Sequence, residues 1–191
     1  MSLPNSSTVA THSIDRAAFE NLYAGNAPWD IDKPQPVFAA VAGRVASPVL
    51  DAGCGTGEHA LFFASQGHRV TGIDFVGEAI ERARAKAGER GLAVKFLVKD
   101  ATTLDDLGEH FATVIDNGLF HCFSDDDRRR YVRGLAQLLE PGGRLFLMCF
   151  SDGWEVESVQ AARFEINPEC TEMRFSEGGP KAWFAVVSRK G

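Results

Sequence analysis

One short stretch limits the fold of this chain more than any other feature. Residues 49–59 read VLDAGCGTGEH, in which an apolar run ends at Asp51 and glycines follow at alternate positions, Gly53, Gly55 and Gly57. A glycine-rich turn between a strand and a helix brings bare backbone close to a bound ligand. A tight connection alone does not need three alternate glycines. The stretch therefore predicts a ligand-binding turn in an α/β protein.

Short β-rich segments alternate with helical segments from this turn onward. Such alternation is typical of a parallel sheet with helices on both faces. We therefore predict a Rossmann-like, doubly wound α/β fold. The predicted strands are 48–52, 69–74, 94–98, 111–116 and 144–150, and the predicted helices are 58–66, 77–89 and 125–139.

The length of the chain, 191 residues, fits one domain that spans 1–191. A polar leader, 1–13, is expected to be disordered. Residues 14–47 are expected to form N-terminal helices and a lid loop that carries Trp29. Residues 48–191 then form the Rossmann-like core.

The C-terminal part predicts two further strands, 154–167 and 181–190, which should pair as an antiparallel edge. A turn-rich segment joins them. Only three residues separate Phe150 from Trp154, whereas a parallel crossover needs about a dozen or more. Either this connection is a hairpin, or the sequence lacks a segment of roughly 15 to 25 residues there. We favour the second interpretation.

Composition excludes several classes of partner. The chain has 20 Lys and Arg against 26 Asp and Glu, a net charge of -6, which repels a nucleic-acid backbone. No apolar run is long enough to span a membrane, and no cluster has metal-ligand spacing. The cysteines lack CxxC spacing, which favours reduced thiols and a cytoplasmic protein. They are Cys54, Cys122, Cys149 and Cys170.

The glycine turn departs from two phosphate-binding patterns. The third glycine of a dinucleotide fingerprint is replaced by Glu58, and no Gly-Lys-Ser/Thr follows, as a P-loop requires. An acid at the start of the helix would also repel a pyrophosphate. The turn instead suits a ligand with carboxylate, amine and sugar groups, such as S-adenosylmethionine.

Acidic residues end four strands of the predicted sheet. Asp74 follows Gly53 by 21 positions, where an acid reaches a ribose hydroxyl in Rossmann-like folds, so NAD would need the same residue. Asp100, beside Ala101, can accept a hydrogen bond from an adenine amino group. Because carboxyl ends of parallel strands meet at one edge, we expect these acids to converge on one cationic ligand. The four acids are Asp51, Asp74, Asp100 and Asp116.

The segments VLDAGCGTGEH, VTGIDF, VKDAT and VIDNGLFH together resemble the motif series of class I S-adenosylmethionine-dependent methyltransferases, over about 48–150. APWDIDKPQP resembles the PWD loop of the thiopurine and thiol/halide methyltransferases and similar small bacterial enzymes. Relatives in that group often carry Gly-Arg where Asp32 and Lys33 stand here. The resemblance implies a seven-stranded sheet with a reversed last hairpin, and a crossover helix after the fifth strand.

The resemblance also implies methyl transfer to a small aromatic, heterocyclic or thiol-type acceptor, with S-adenosylhomocysteine as product. It places the glycine turn against the methionine part of the cofactor and Asp74 on the ribose diol. Asp100 with Ala101 would read the adenine edge. The remaining contacts would be Phe75 on one adenine face, Asn117 and Gly118 near the sulfonium, and Trp29 closing over it.

Methyl transfer is an in-line displacement in which positioning matters more than covalent chemistry. A base is needed only if the acceptor arrives protonated, and His121 is the candidate. Its alternative is a neutral, structural histidine. Aromatic residues Phe19, Tyr23 and Trp29 of the lid would line an apolar acceptor pocket. The other histidines outside the leader, His59, His68 and His110, are expected on the surface.

Two other functions remain open at this point. One is an NAD-dependent oxidoreductase, and the other is a non-catalytic protein that binds S-adenosylmethionine. The expected assembly is a monomer or a weak homodimer.

Overall fold

A mixed β-sheet runs through the part of the chain that the computed structural model describes, residues 16–23, 25, 27, 30–150, 164–166, 171–174 and 181–189. Its parallel strands are β1 (Val49–Ala52), β2 (Val70–Asp74), β3 (Lys95–Val98), β4 (Phe111–Asn117) and β5 (Leu139–Phe150). They lie in the order β3-β2-β1-β4-β5. The strand order therefore reverses between β1 and β4, where a sheet of this kind binds its ligand.

The last strands form an antiparallel edge, as predicted. β8 (Lys181–Arg189) pairs with β5, and β6 (Phe164–Ile166) and β7 (Thr171–Arg174) both pair with β8. The expected count of seven strands is wrong, because the described residues form eight strand segments. The outer edge consists of two short segments, and β7 lies where a turn-rich connection was expected. The question about the chain between Phe150 and Trp154 falls outside the described residues, and so do the leader, 1–13, and Trp29.

Five α-helices are described: α1 (Arg16–Tyr23), α2 (Pro36–Ala40), α3 (Glu58–Ser65), α4 (Gly77–Glu89) and α5 (Asp125–Leu138). Local signals set several of their ends. The Ser124 side chain accepts a hydrogen bond from the Asp127 N–H at the start of α5. After α5 the chain passes directly into β5, whose Leu139 pairs with Phe111. Within the described ranges no helix is long and apolar enough to cross a membrane.

Apolar side chains cover both faces of the sheet, which confirms the doubly wound arrangement. On one face, Tyr131 and Leu135 of α5 pack with Leu50 of β1. On the other face, Phe38 of α2 and Phe63 of α3 belong to a second buried cluster. The carboxyl edge of the sheet therefore lies between two packed layers, and α1 and the segment before α2 approach it.

Candidate active site

A cavity of about 430 Å³ lies at the carboxyl ends of β1, β2 and β4. Its wall combines the glycine turn with residues of α1 and of the segment 30–35, here called the 30–35 loop. This is the position where a doubly wound sheet binds its ligand. The predicted site residues that line it are Gly53, Gly55, Asp74, Phe75, Asn117, Gly118 and His121, together with the expected aromatic residues Phe19 and Tyr23.

Asp74 of β2 joins the cavity to the glycine turn. Its side chain is 7% exposed, and its two carboxylate oxygens accept hydrogen bonds from the N–H groups of Gly55 and Val76, both at 2.9 Å. Burial raises the pKa of this carboxyl, while the backbone donors oppose the rise. Asp74 thus fixes the turn, and its carboxylate also faces the ligand space.

Asp51, at the end of β1, serves a different purpose. It is buried, and its carboxylate accepts the Ala60 N–H at 2.9 Å. That N–H is one of the first-turn donors of α3 that have no partner within the helix. Burial, then the charges of Asp116 and Asp74, raise the pKa of Asp51 to about 7. Asp51 therefore ties β1 to α3 and does not line the cavity.

Asp116, at the end of β4, is fully buried. Its carboxylate accepts hydrogen bonds from the N–H groups of Leu119 (2.8 Å) and Phe120 (3.3 Å) and from the Tyr131 hydroxyl (3.0 Å). Burial raises its pKa to about 7, and the charge of Asp116 in turn raises the pKa of Asp51. Asp116 therefore organises the turn after β4 and its contact with α5.

Asp100 also caps local structure. It is exposed, and its carboxylate accepts hydrogen bonds from the N–H and the hydroxyl of Thr102, both at 2.8 Å, where a short 3-10 helix begins at Ala101. Ala101 is buried in the core. The expectation that four carboxylates converge on one ligand is therefore wrong, because only Asp74 among them lines the cavity. The turns after the other strands use these acids as caps.

Gly55 and Gly57 differ in what surrounds their backbone. At Gly55 the left-handed φ of +53° favours glycine, and an added Cβ would also lie 2.6 Å from the Tyr23 hydroxyl of α1, which would have to shift. At Gly57, with φ +88°, it would lie 2.8 Å from Phe96 and 2.9 Å from Ala83. Gly57 does not line the cavity. Its bare backbone is required by packing against Phe96 and Ala83 in the core.

This difference predicts the cost of Gly57→Ala. The substitution should destabilise the protein by about 1 to 3 kcal/mol more than Gly67→Ala, because it adds overpacking to the strain of a left-handed residue. Gly67 is the matched control, since it has the same φ, +88°, and nothing within 4 Å of an added Cβ. Urea unfolding of both variants measures the difference, and equal costs would contradict the assigned packing role.

Glu58 does not present a free negative charge to the cavity. Its carboxylate pairs with Arg90 through two guanidinium nitrogens, both at 2.9 Å, and with Lys86 at 2.8 Å. These partners lower its pKa against the effect of burial. Repulsion of a pyrophosphate by Glu58, which the sequence suggested, is therefore weaker than expected.

The cavity fits S-adenosylmethionine in two respects. Backbone at Gly53 and Gly55 is open to a ligand, and the Asp74 carboxylate faces the same space. In addition, the buried Oδ1 atom of Asn117 has no hydrogen-bond partner among the described residues. Buried polar atoms usually have a partner, so this atom points to a ligand that supplies one.

Comparison with known proteins settles the family. Residues 49–143 match the family described as methyltransferase domain. The 2-heptyl-1-hydroxyquinolin-4(1H)-one methyltransferase of Mycobacteroides abscessus is 36% identical over 166 residues, which cover 81% of this chain and 73% of the relative. The chain belongs to the class I S-adenosylmethionine-dependent methyltransferases. This membership removes the NAD-dependent oxidoreductase from the alternatives.

Two solved structures resemble this methyltransferase over most of its length. One, described with the conversion of a disulfide bond into a thioacetal group during echinomycin biosynthesis, has a TM-score of 0.80 and 32% identity, and the match covers 91% of this chain and 92% of that one. The other is Burkholderia thailandensis 1,6-didemethyltoxoflavin-N1-methyltransferase with its substrate and S-adenosylhomocysteine bound. Its TM-score is 0.78 at 26% identity, and the match covers 92% of this chain and 87% of that one.

His59 of the methyltransferase was expected on the surface, and this is wrong. It is 7% exposed, lines the cavity, and its Nε2 accepts the Gln35 N–H at 3.1 Å. Burial lowers its pKa to about 4, so the ring is neutral and its proton must lie on Nδ1. His59 therefore holds the 30–35 loop. Its partner is 24 positions away, which no local pattern reveals.

The two cysteines at the cavity are poor nucleophiles. Burial raises the pKa of Cys122 to about 12 and that of Cys54 well above its usual value. The Cys122 thiol donates a hydrogen bond to the Gly118 carbonyl at 3.1 Å. Both residues therefore pack within the methyltransferase, and neither is set up for covalent catalysis.

Proposed function

We propose that the acceptor of this methyltransferase is a flat aromatic or heterocyclic molecule, or a thiol, that loses its proton readily. The observation that carries this proposal is the composition of the cavity. Apolar and aromatic side chains of α1 and of the sheet edge, namely Phe19, Leu22, Tyr23, Phe75 and Leu119, line the same space as the glycine turn. Such a lining suits a flat apolar ligand. The activities named for the hydroxyquinolone and toxoflavin relatives support it.

S-adenosylmethionine supplies an electrophilic methyl group on a sulfonium, and the chain supplies binding, orientation and exclusion of water. We assign the ribose diol to Asp74, one adenine face to Phe75, and the methionine part to the backbone at Gly53 and Gly55. The resemblance also implies Asp100, Ala101 and Gly57, but none of them lines the cavity, and we assign them no ligand contact. Trp29, which the resemblance implies as the residue that closes over the sulfonium, lies outside the described residues. We propose that Asn117 and Gly118, which line the cavity, lie near the sulfonium.

The neutral state of His121 favours an acceptor that loses its proton without a base. It lines the cavity, and burial, followed by the charge of Arg128, lowers its pKa to about 4. A neutral imidazole with so low a pKa takes up a proton poorly, so it orients the acceptor better than it deprotonates it. Lys33 also lines the cavity and favours an anion. We therefore expect thiols, phenols and N-hydroxy heterocycles to react faster than neutral amines or alcohols.

The test is turnover with isotopically labelled cofactor against thiols, phenols, quinones, N-hydroxy heterocycles and neutral amines, read out by the mass of the product. We expect methylation of acidic aromatic or thiol acceptors, with rates that follow the ionised fraction of the acceptor as pH rises. Preference for neutral amines would contradict the proposal. Tight S-adenosylhomocysteine binding without turnover on the whole panel would favour a non-catalytic binding protein.

The same proposal includes a single domain over 1–191, a cytoplasmic location, no nucleic-acid or membrane partner, no metal, and a monomer or weak homodimer. The lack of CxxC spacing among the cysteines supports the location. The acidic net charge of -6 opposes binding to nucleic acid.

A further inference from the structure

A cluster of charged and polar side chains connects the glycine turn, α4 and the 30–35 loop beside the cavity. We call it the Lys86 cluster, since its central atom is the Lys86 ammonium of α4. That nitrogen donates hydrogen bonds to Glu58 (2.8 Å), Thr56 (2.9 Å) and Asp32 (3.0 Å). The cluster consists of Asp30, Asp32, Thr56, Glu58, Lys86 and Arg90.

Lys86 itself does not line the cavity, but the groups that it holds do. Thr56 and Glu58 line it from the side of the glycine turn. Asp30 lines it from the 30–35 loop, where its carboxylate accepts the Thr56 hydroxyl at 2.6 Å and lies 3.8 Å from the Lys86 ammonium. A single cation therefore contacts two parts of the cavity wall at once.

Loss of Lys86 would affect these two parts unequally. Glu58 would keep Arg90, which contacts it through two nitrogens at 2.9 Å. Asp32, by contrast, has Lys86 as its hydrogen-bonding cation and adopts a left-handed backbone, φ +49°. Without that contact the strained backbone at Asp32 loses a compensating interaction. The loop should loosen, while the glycine turn keeps its shape.

The 30–35 loop contributes Asp30, Ile31, Lys33 and Gln35 to the cavity wall. Its other end is held by the bond from the Gln35 N–H to His59. Without Lys86 the loop would keep the bond from Thr56 to Asp30 at one end and the bond from Gln35 to His59 at the other, so Asp32 and its neighbours in the middle of that wall would be free to move. Small displacements of binding groups have large effects on rates, since orientation contributes much of the catalytic gain.

We propose that Lys86 is a positioning residue for the acceptor: it fixes the 30–35 loop to the glycine turn and touches neither ligand. The inference rests on the proposed function, because it assigns the loop side of the cavity to the acceptor. It predicts that changes at Lys86 raise the acceptor KM and leave cofactor binding nearly intact.

The experiment compares Lys86→Met, Lys86→Arg and Asp32→Asn with the control Arg82→Met. Arg82 lies one turn earlier on α4 and pairs with Glu78 on the surface. Asp32→Asn removes the charge at an exposed position while keeping a residue that tolerates a left-handed backbone, so it tests the contact even if Lys86→Met fails to fold. Hydrogen exchange of the loop, S-adenosylhomocysteine Kd by calorimetry, and acceptor KM are the readouts.

For Lys86→Met we expect faster exchange in the loop and an acceptor KM raised about 10-fold, with the S-adenosylhomocysteine Kd within about 3-fold of wild type. Asp32→Asn should show a smaller rise in loop exchange and in acceptor KM. Lys86→Arg should keep an acceptor KM close to that of wild type. Unchanged loop exchange in both Lys86→Met and Asp32→Asn would overturn the inference, as would equal losses of cofactor and acceptor binding. A wild-type protein that does not bind S-adenosylhomocysteine would instead contradict the proposed function, and the exchange measurement would still decide the role of Lys86.

Discussion

Asp116→Ala is expected to lower the free energy of unfolding by about 3 to 5 kcal/mol. The carboxylate is fully buried and accepts hydrogen bonds from the N–H groups of Leu119 and Phe120 and from the Tyr131 hydroxyl. Alanine would leave these donors buried without an acceptor, and water cannot replace it unless the structure opens. Equilibrium unfolding in urea measures the loss.

Tyr131→Phe provides the control for this prediction. It removes the hydroxyl but leaves the two backbone bonds to Asp116, so it should cost about 0.5 to 1.5 kcal/mol. Equal costs for Tyr131→Phe and Asp116→Ala would contradict the role of Asp116 as the common acceptor. Asp126→Ala, on the exposed side of α5, should change stability little, because its ion pair with Arg129 is on the surface.

The raised pKa of Asp116 also predicts how stability depends on pH. The usual carboxyl pKa is 3.8, and burial raises it to about 7 in the folded protein. Between these values the folded state holds a proton that the unfolded state has lost. The stabilisation that the higher proton affinity of Asp116 gives the folded state is complete below pH 3.8 and is lost as pH rises to about 7. The stability of wild type relative to Asp116→Asn should therefore fall over this range, by about 2 to 4 kcal/mol.

Secondary structure was largely predictable because its signals are local. Helix α4 begins and ends at Gly77 and Glu89, as the sequence indicates, and α5 begins at Asp125 after the Ser124 cap. Alternation of strands and helices then leaves few topologies, since parallel crossovers are right-handed. The doubly wound arrangement and the position of the cavity at the glycine turn follow from these rules.

The direction of the acidic side chains was not predictable from the same signals. Asp51 accepts the N–H of Ala60, nine positions later, and Asp116 accepts the Tyr131 hydroxyl, 15 positions later. These partners depend on how a helix packs against the sheet. A carboxylate at a strand end can face a ligand or cap the following helix, and the sequence pattern is the same for both.

The ion pairs that neutralise Glu58 were also not predictable, because they too depend on residues distant in the sequence. Its partners, Lys86 and Arg90, stand 28 and 32 positions away on α4. The sequence shows an acid after the glycines but not the cations that meet it. Consequently the charge argument for a sulfonium ligand was weaker than expected, and the family assignment depends on the motif series and on the relatives. The cavity itself lies where a doubly wound sheet binds its ligand.

Asp74→Ala is expected to weaken S-adenosylhomocysteine binding by about 2 to 4 kcal/mol. Two effects add in this variant. The proposed pair of charge-assisted hydrogen bonds to the ribose diol is lost, and so are the bonds that Asp74 accepts from the N–H groups of Gly55 and Val76. The glycine turn would then no longer be held in its binding conformation. Calorimetric titration of each variant with S-adenosylhomocysteine measures the change.

Two comparisons separate these effects. Asp74→Asn keeps an acceptor oxygen for the backbone of the turn but lacks the charge, so its affinity should lie between those of wild type and Asp74→Ala. Asp100→Ala removes the carboxylate that family resemblance assigns to adenine. Because Asp100 is exposed and already bonded to Thr102, its replacement should cost less than about 1 kcal/mol of binding. If Asp100→Ala weakens binding more than Asp74→Ala does, the cofactor lies nearer β3 than the cavity indicates, because the stronger contact would then come from the end of that strand.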